Sequence, residues 1–258
     1  MNKRKTALIT GATSGIGLEL TLLLASDGLD LILVARNEER LSEVKNELSN
    51  KYQINIKTIA KDLSKPESSK EIYNETKDHE INILINNAGF GDYGEFIKSD
   101  WQTQEKMINL NIISLTHLTK FFLPQMIERK EGKILNVAST AAFQPGPYMS
   151  VYFATKAYVL SFSEALAEEI KHTGITITTL CPGPTRTGFE KESKTEAAGL
   201  FAGPNVMTAV EVASYGYRAM LKGQRIAIPG IQNKILATLA KISPSFLSTK
   251  ITGYLIRK

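Results

Sequence analysis

A tyrosine and a lysine four residues apart are the pair in this sequence best suited to proton transfer. Tyr152 and Lys156 lie in residues 150–174, where apolar residues recur at helical spacing until Gly174 ends the pattern. Residues i and i+4 share one face of a helix, so the ammonium is expected beside the phenol. Because a positive charge favours the phenolate, we predict that Lys156 lowers the pKa of Tyr152 from its ordinary value of about 10. A packed tyrosine beside a solvated lysine would have the same spacing.

The elements that must position this pair follow from alternating patterns along the chain. Three apolar runs, TALIT, DLILVA and INIKTIA, each precede a helical pattern, and further strand candidates are INILINN, KILNVAS, ITITTL and RIAIP. Their continuous apolar character is typical of parallel strands buried on both faces. The pattern predicts an α/β fold, a doubly wound parallel sheet of about seven strands with helices on both faces. Residues 188–206 are predicted to form a substrate lid, and residues 230–258 form a tail.

Composition restricts the class of protein. The 258 residues are 43% hydrophobic and 22% charged, which predicts a single domain over residues 1–258. One cysteine, Cys181, excludes an intrachain disulfide framework and predicts a cytoplasmic protein. Early glycines interrupt any signal-peptide core, and no apolar run reaches the roughly 18 residues that a membrane span needs. A net charge of +5 without a clustered basic face argues against nucleic acid as a partner.

A glycine-rich turn, TGATSGIG, follows the first strand candidate. Glycine lets the backbone turn sharply and approach a phosphate, and the next helix offers its N-terminal N–H groups to a pyrophosphate. We therefore predict a dinucleotide site here, with a plain glycine turn as the alternative. The candidate contacts are Gly11, Thr13, Ser14, Gly15, Ile16 and Gly17.

Charged residues at the ends of the second and third strands bear on which dinucleotide binds. Many nicotinamide folds place an acid at the end of the second strand, whereas this chain has Arg36 there. A guanidinium suits a phosphate, so the sequence predicts NADP (NADPH) in preference to NAD, unless Arg36 is a solvated surface residue. Asp62, followed by Leu63, either accepts from the adenine amino group or caps the next segment.

Polar residues also close the fourth and fifth strand candidates, where open parallel sheets bind ligands. NNAG ends at Gly89, and Ser139 follows ILNVA. With TGATSGIG, Asn111, YFATK and PGPTRT in this order, these motifs resemble the short-chain dehydrogenase/reductase family over roughly residues 5–190. The resemblance implies a Rossmann-type subunit that binds NAD or NADP and moves a hydride between nicotinamide C4 and a carbonyl or alcohol carbon.

The resemblance also implies roles for individual residues. Tyr152 matches the family's general acid/base, Lys156 the partner that holds the nicotinamide ribose, and Ser139 the hydroxyl that polarises the substrate oxygen. Asn111 matches the residue that holds a water in a proton relay to Lys156, with Asn109 as the alternative. Further implied cofactor contacts are Asn87, Ala88, Gly89, Pro182, Gly183, Thr185 and Thr187. Cys181 is interpreted as a small buried residue, and the scarcity of histidine argues against a metal site.

The substrate is expected to be apolar. Residues 90–94, residues 143–149 and the predicted lid are rich in Phe, Tyr, Met and Pro, which favours a ketone, aldehyde or ketoacyl group, with local packing as the alternative role of these side chains. The motifs also resemble reductases of hydroxysteroids and long-chain ketoacyl thioesters. The competing hypothesis is an NADP-binding sensor or scaffold with little turnover.

The chain is also expected to form an oligomer, and its tail is expected to pack on the protein. Members of the family commonly pair through the helix that bears Tyr152 and the helix before the fifth strand, which implies a homodimer or homotetramer. The large side chains on those two helices are Phe121, Phe122, Met126, Tyr158 and Phe162. The tail is predicted to pack over the cleft or a neighbouring subunit in preference to lying on an anionic membrane.

Overall fold

A computed structural model describes residues 4–193 and 206–257 of the chain. Residues 194–205, which make up most of the predicted lid, lie outside the described residues. The strands are β1 (Thr6–Thr10), β2 (Asp30–Ala35), β3 (Ile56–Ala60), β4 (Ile81–Asn86), β5 (Gly132–Val137), β6 (Ile175–Leu180), β7 (Thr185–Arg186), β8 (Met207–Thr208) and β9 (Ile226–Ala227). The helices are α1 (Gly15–Ser26), α2 (Glu38–Tyr52), α3 (Ser68–Thr76), α4 (Trp101–Ile108), α5 (Leu115–Arg129), α6 (Ser150–Glu169), α7 (Phe189–Glu192), α8 (Ala209–Leu221), α9 (Ile231–Ile242) and α10 (Ser245–Ile256).

Seven strands form one sheet in the order β3-β2-β1-β4-β5-β6-β9, and every neighbouring pair is parallel. The predicted fold class is confirmed. The chain winds outward from β1 through β2 to β3 and then crosses back to β4. The direction of winding therefore reverses between β1 and β4, and a ligand crevice is expected beyond the carboxyl ends of these two strands. The short strands β7 and β8 pair with each other, apart from this sheet.

Alternate residues of each strand supply two cores, one on each face of the sheet. Ile9 of β1 belongs to the cluster that includes Leu20 of α1, and its neighbour Leu8 belongs to the cluster that includes Phe122 of α5. This two-residue alternation explains why the strands read as unbroken apolar runs. It also corrects part of the expected subunit interface, because Phe122 and Met126 are 1% and 0% exposed inside one chain.

The tail forms two helices, α9 and α10, separated at Ser243 and Pro244. The break agrees with the tail sequence, in which apolar residues recur at helical spacing up to Pro244. No helix within residues 4–193 or 206–257 has the length and apolar character needed to cross a bilayer.

Candidate active site

The glycine-rich turn connects β1 to α1 at the edge where the winding reverses. Gly11 and Gly15 have φ angles of +66° and +51°, in the left-handed region that a side chain disfavours. A Cβ at Gly17 would collide with the carbonyl oxygen of Gly11. The turn therefore leaves no space for a side chain at Gly17, and α1 begins within it, at Gly15.

The first turn of α1 presents backbone donors towards an open cleft. Ser14, Gly15 and Ile16 line that cleft. Ser14 occupies the N-cap position of α1. Among the described residues, no backbone N–H of this helix donates a capping hydrogen bond to the Ser14 side chain. Helix N-terminal N–H groups without a side-chain cap, next to a tight glycine turn, fit the phosphates of a dinucleotide.

Hydrogen bonds from the end of β4 hold the glycine turn in place. Asn87 donates from its backbone N–H to Thr10 Oγ1 at 3.0 Å and from Nδ2 to the carbonyl oxygen of Thr10 at 3.0 Å. Ala88 N–H also donates to Thr10 Oγ1, at 3.0 Å. Asn87 thus ties β4 to β1, although it also lines the cleft beside Ala88 and Gly89. Thr10 was not among the residues predicted from the sequence, where its signal is a hydroxyl at the end of an apolar strand.

Ser139 and Tyr152 approach each other at the end of β5 and the start of α6. Ser139 follows β5, and its Oγ accepts from Ala141 N–H at 3.1 Å, which fixes the hydroxyl at the cleft. Tyr152 is 8% exposed and lies in the first turn of α6. Burial raises the pKa of Tyr152, and a hydrogen bond with Ser139 lowers it. Burial is the larger effect, so the pKa rises to about 12. The phenol is therefore protonated at neutral pH.

Lys156 lies one helical turn from Tyr152, and its ammonium group points towards β5. Its Nζ donates to the carbonyl oxygen of Val137 at 2.9 Å and lies 5.8 Å from the centre of the Tyr152 ring. Burial lowers the pKa of Lys156 to about 8. The prediction that Lys156 lowers the pKa of Tyr152 was wrong: burial raises that pKa, and the hydrogen bond with Ser139 is what opposes the rise. Both groups are buried, and desolvation favours the neutral form of each.

Asn111 reaches the same region from a π-helical turn, Asn109–Ser114, between α4 and α5. Its Nδ2 donates to the Phe90 carbonyl oxygen at 2.9 Å and to Thr155 Oγ1 at 3.0 Å, and its Oδ1 accepts from Phe90 N–H at 3.2 Å. A Cβ at Gly89 would lie 3.0 Å from Asn111 Oδ1 and 3.3 Å from Lys156 Nζ. Asn111 therefore faces Lys156 across Gly89. π-Helical turns are frequent at functional sites.

The segment after β6 forms another wall of the cleft. Gly183, Thr185 and Thr187 line the cleft, whereas Pro182 is buried behind it and accepts from Thr140 N–H through its carbonyl oxygen at 2.8 Å. The Thr185 hydroxyl donates to the Gly183 carbonyl oxygen at 2.8 Å. Thr187 lies against Gly15, because a Cβ added to Gly15 would be 3.0 Å from the Cβ of Thr187.

Asn233 of α9 also lines the cleft and touches Gly183. Sequence reasoning did not identify it, because nothing in the tail marks an asparagine as part of a site. Its Nδ2 donates to the Pro229 carbonyl oxygen at 2.8 Å, so the side chain links the start of α9 to the wall of the cleft.

Three predicted cofactor residues lie beyond the cleft walls, at the ends of β2 and β3. Asp62 accepts from Ser64 N–H at 3.0 Å and from Ser64 Oγ at 2.8 Å, so it caps the next segment. Burial raises the pKa of Asp62, but the bonds from Ser64 and the charge of Arg36 outweigh it and lower that pKa overall. Arg36 is exposed beside Asp62, and the Leu63 side chain is buried in the core. Within the described residues, Thr13, Gly17 and Asn111 also lie outside the lining of the cleft.

The cleft has a volume of about 970 Å³ and joins the glycine turn to the tail. Ser139, Tyr152 and Lys156 lie between these two ends. The apolar residues at the tail end include Met149, Phe153 and Phe189, with Leu236, Leu239, Ile251, Leu255 and Ile256 from α9 and α10. The outer end is therefore apolar, whereas the inner end is formed by glycines and backbone donors.

Cys181 is fully buried, and burial raises the pKa of its thiol to about 12. A protonated, inaccessible thiol is unsuited to nucleophilic attack. This agrees with the interpretation of Cys181 as a small buried residue.

Comparisons with known proteins agree with this geometry. A family model described as short chain dehydrogenase matches residues 5–198. A very-long-chain 3-oxoacyl-CoA reductase from Rattus norvegicus is 35% identical over 235 residues, which are 89% of this chain and 75% of that protein. A hydroxysteroid dehydrogenase-like protein 1 from Gallus gallus is 33% identical over 259 residues, 97% of this chain and 76% of that protein. A short-chain dehydrogenase from Sphingobium yanoikuyae, solved with NADPH, has 32% identity and a TM-score of 0.83 over 88% of each chain.

Proposed function

This chain belongs to the short-chain dehydrogenase family, and on that premise we propose that it is an NADPH-dependent reductase of apolar, long-chain ketoacyl substrates. It is an oxidoreductase that acts on C=O and CH–OH groups, and its fold binds NAD or NADP. The observation that carries the proposal is the meeting of Ser139, Tyr152 and Lys156 between the glycine turn and an apolar cleft end.

The residues fit a dinucleotide at the inner end of the cleft. The close approach of Gly17 to Gly11 leaves no space for a side chain, and the uncapped N-terminus of α1 offers donors for the pyrophosphate. Gly183 and Thr185 would flank the carboxamide of the nicotinamide. When bound, the nicotinamide supplies or accepts the hydride.

Ser139 and Tyr152 would hold the substrate carbonyl oxygen. As the carbonyl carbon is reduced, negative charge develops on that oxygen, where Ser139 donates a hydrogen bond and Tyr152 donates its proton. The carbonyl group gains a hydride on carbon and a proton on oxygen, and becomes an alcohol. The pKa of about 12 keeps Tyr152 protonated and ready to donate at neutral pH.

Lys156 and Asn111 would restore the proton. The Lys156 ammonium stabilises the Tyr152 phenolate that remains, and a pKa of about 8 lets it give up a proton near neutral pH. Asn111, held by Phe90 and Thr155 and facing Lys156, is the proposed holder of a water that links Lys156 to solvent.

NADP is preferred to NAD in this proposal because of Arg36. Its guanidinium is exposed at the end of β2, where a ribose phosphate is expected, and it lies near Asp62 at the end of β3. The relative from Sphingobium yanoikuyae was solved with NADPH, which supports the same choice.

The acyl substrate class is supported by the apolar outer end of the cleft and by the rat relative, which is a very-long-chain 3-oxoacyl-CoA reductase. An inner end with the Ser139 and Tyr152 hydroxyls and an apolar outer end suit a ketone with a long chain. The carbonyl would lie at Ser139 and Tyr152, and the chain would extend towards α9 and α10.

Consumption of NADPH with a chain-length series of 3-ketoacyl thioesters tests the proposal. We expect kcat/KM to increase with chain length, since each methylene that enters the apolar end contributes about 0.8 kcal/mol. Equal kcat/KM for a two-carbon and a long chain would refute the substrate class. Tight NADPH binding without turnover of any carbonyl compound would instead favour the sensor hypothesis.

We also propose a homodimer or homotetramer in the cytoplasm, paired through α5 and α6. With Phe122 and Met126 buried, the candidate contacts are Phe121, Tyr158 and Phe162, of which Tyr158 and Phe162 stack at 5.8 Å. Light scattering should give at least twice the mass of 28.5 kDa, and a monomeric mass would contradict this arrangement.

A further inference from the structure

The tail helices are turned so that much of their apolar surface faces away from the protein. In α9, Ala237 is 3% exposed and faces inward, whereas Ile231, Ile235 and Ile242 are 70%, 53% and 73% exposed. At 3.6 residues per turn, these three isoleucines form one stripe on the side of α9 opposite Ala237. A surface helix normally has the reverse arrangement, with its apolar stripe towards the core.

The same inversion occurs in α10. Ser248 and Thr252 face inward with Ile256, while Phe246 and Tyr254 are 76% and 83% exposed. Phe246 and Tyr254 are two turns apart on the outward side. The polar side chains are thus buried and the aromatic ones exposed. We call the outward stripes of both helices the tail face, and define it by Ile231, Ile235, Ile242, Phe246, Leu247 and Tyr254.

Several contacts hold this orientation in place. Ile256 is 1% exposed within the cluster that contains Tyr152, and a Cβ on Gly253 would meet Pro147 at 3.1 Å. Lys234 and Lys241 lie over the rings of Tyr215 and Phe143, at 5.5 and 5.2 Å from their centres. The inner side is therefore packed against the body of the protein, and the tail face is left for another partner. More than half of the exposed large apolar side chains in the described residues lie on α9 and α10.

The charge of the tail indicates the kind of partner. Residues 231–258 contain Lys234, Lys241, Lys250, Arg257 and Lys258, and no acidic residue. The whole chain has 31 basic and 26 acidic residues, so removal of these five bases leaves 26 of each sign. All of the net charge of +5 therefore lies in the tail. Lys250 sits on the outward side, midway in sequence between Phe246 and Tyr254.

We propose that the tail face docks on an anionic lipid bilayer. Outward apolar and aromatic residues interspersed with bases, on helices too short to span, are the features of an interfacial helix. Pairing of two identical tails would use the same patch on both copies and bring Lys250 of each copy to one interface, together with the other basic side chains that the tail exposes there. An anionic bilayer satisfies both the apolar stripe and the basic side chains.

Docking would also orient the cleft. Four leucine and isoleucine side chains of the two helices line the outer end of the cleft, and each is at least half exposed: Leu236, Leu239, Ile251 and Leu255. With the tail face on a bilayer, this end of the cleft opens at the lipid surface. This one consequence rests on the proposed function, because an acyl chain could then enter without crossing water. The docking itself requires no catalytic activity.

Sedimentation with vesicles tests the proposal. The full chain is mixed with phosphatidylcholine vesicles that contain or lack phosphatidylglycerol. We expect binding to the anionic vesicles that weakens with added salt. The triple variant Ile242→Ser, Phe246→Ser, Tyr254→Ser should bind at least about tenfold more weakly, as three apolar side chains no longer enter the interface. Lys250→Glu should also bind about tenfold more weakly, because it reverses a charge on the tail face.

Matched controls separate docking from folding. The double variant Val210→Ser, Leu221→Ser removes two exposed apolar residues of α8 and should bind vesicles as the original chain does. Thermal unfolding midpoints and NADPH affinity should be the same for all variants, because none of the altered residues lines the cleft. Equal binding to neutral and anionic vesicles, or no binding, would overturn the proposal. Loss of oligomer mass in the triple variant without vesicle binding would assign the tail face to a second copy.

Discussion

Replacement of Tyr152 by phenylalanine tests the proposed proton transfer directly. The variant keeps the ring and removes the hydroxyl that would protonate the substrate oxygen. We expect kcat for carbonyl reduction to fall by about 10²- to 10⁴-fold, the contribution of a general acid. Ser139 remains as a donor to the same oxygen, so some activity above background should persist.

The effect on stability should be small compared with the effect on turnover. The ring packs with Met149, Phe153 and Ile256, and these contacts are unchanged in phenylalanine. The lost hydrogen bond with Ser139 is worth about 0.5–1.5 kcal/mol, and the lower cost of burying a ring without a hydroxyl offsets part of it. NADPH affinity should change by less than about tenfold, because the glycine turn and α1 hold the phosphates.

The assay compares steady-state NADPH consumption, NADPH binding and urea unfolding for Tyr152→Phe and for Tyr158→Phe. Tyr158 lies on the same helix, is 38% exposed and bonds to Thr116 at 3.1 Å, so its variant removes a phenol hydroxyl remote from the cleft. Tyr158→Phe should retain normal kcat. If Tyr152→Phe reduced ketones at nearly the normal rate, the assignment of the proton donor would be wrong.

Three further predictions address the lysine, the cofactor and the turn. Burial lowers the pKa of Lys156 from 10.5 to about 8, so between these pH values the unfolded chain binds a proton that the native chain has released. The free energy of unfolding should therefore rise with pH across this window relative to Lys156→Met, and a parallel pH dependence in both would contradict the shift. Arg36→Asp should weaken NADPH binding by about 10- to 100-fold and favour NADH, as measured by titration; equal NADPH and NADH affinity in the original chain would refute this role. Gly17→Ala should destabilise the protein by about 1–3 kcal/mol and weaken NADPH binding, because its Cβ meets the Gly11 carbonyl oxygen; unfolding and binding curves that match the original would contradict it.

The sheet could be predicted because burial on both faces leaves a direct mark on sequence. β2 has five apolar residues out of six and is followed by a helical pattern, and β4 has four apolar residues out of six and is buried along its whole length. Ser139 and Tyr152 could be related through the family resemblance, since their positions in the motifs are specific. The choice between Asn109 and Asn111 needed coordinates, because both lie in one π-helical turn and only side-chain contacts show that Asn111 faces Gly89 and Lys156.

Other features depend on where side chains point, which periodicity does not report. The tail has an evident amphipathic pattern, yet the pattern is the same whether the apolar stripe faces the core or solvent. Similarly, Phe122 and Phe121 are adjacent, but Phe122 enters the core while Phe121 stacks on Tyr73 at 4.9 Å. Asn233 joined the site through its contact with Gly183, a long-range contact that no local motif encodes.

The opposite pKa shifts of Tyr152 and Lys156 explain how one buried site can serve proton transfer. Burial disfavours the phenolate and the ammonium separately, so desolvation shifts each group of the pair towards its neutral form. Loss of the Tyr152 proton to a substrate oxygen creates an anion near Lys156. The ammonium then gains a counter-charge in a medium of low dielectric, which raises its affinity for a proton. The charge required to stabilise the phenolate is therefore favoured most at the moment the phenolate forms. The four-residue spacing places the Lys156 amine near Tyr152, and burial makes the protonation of that amine depend on whether Tyr152 carries a charge.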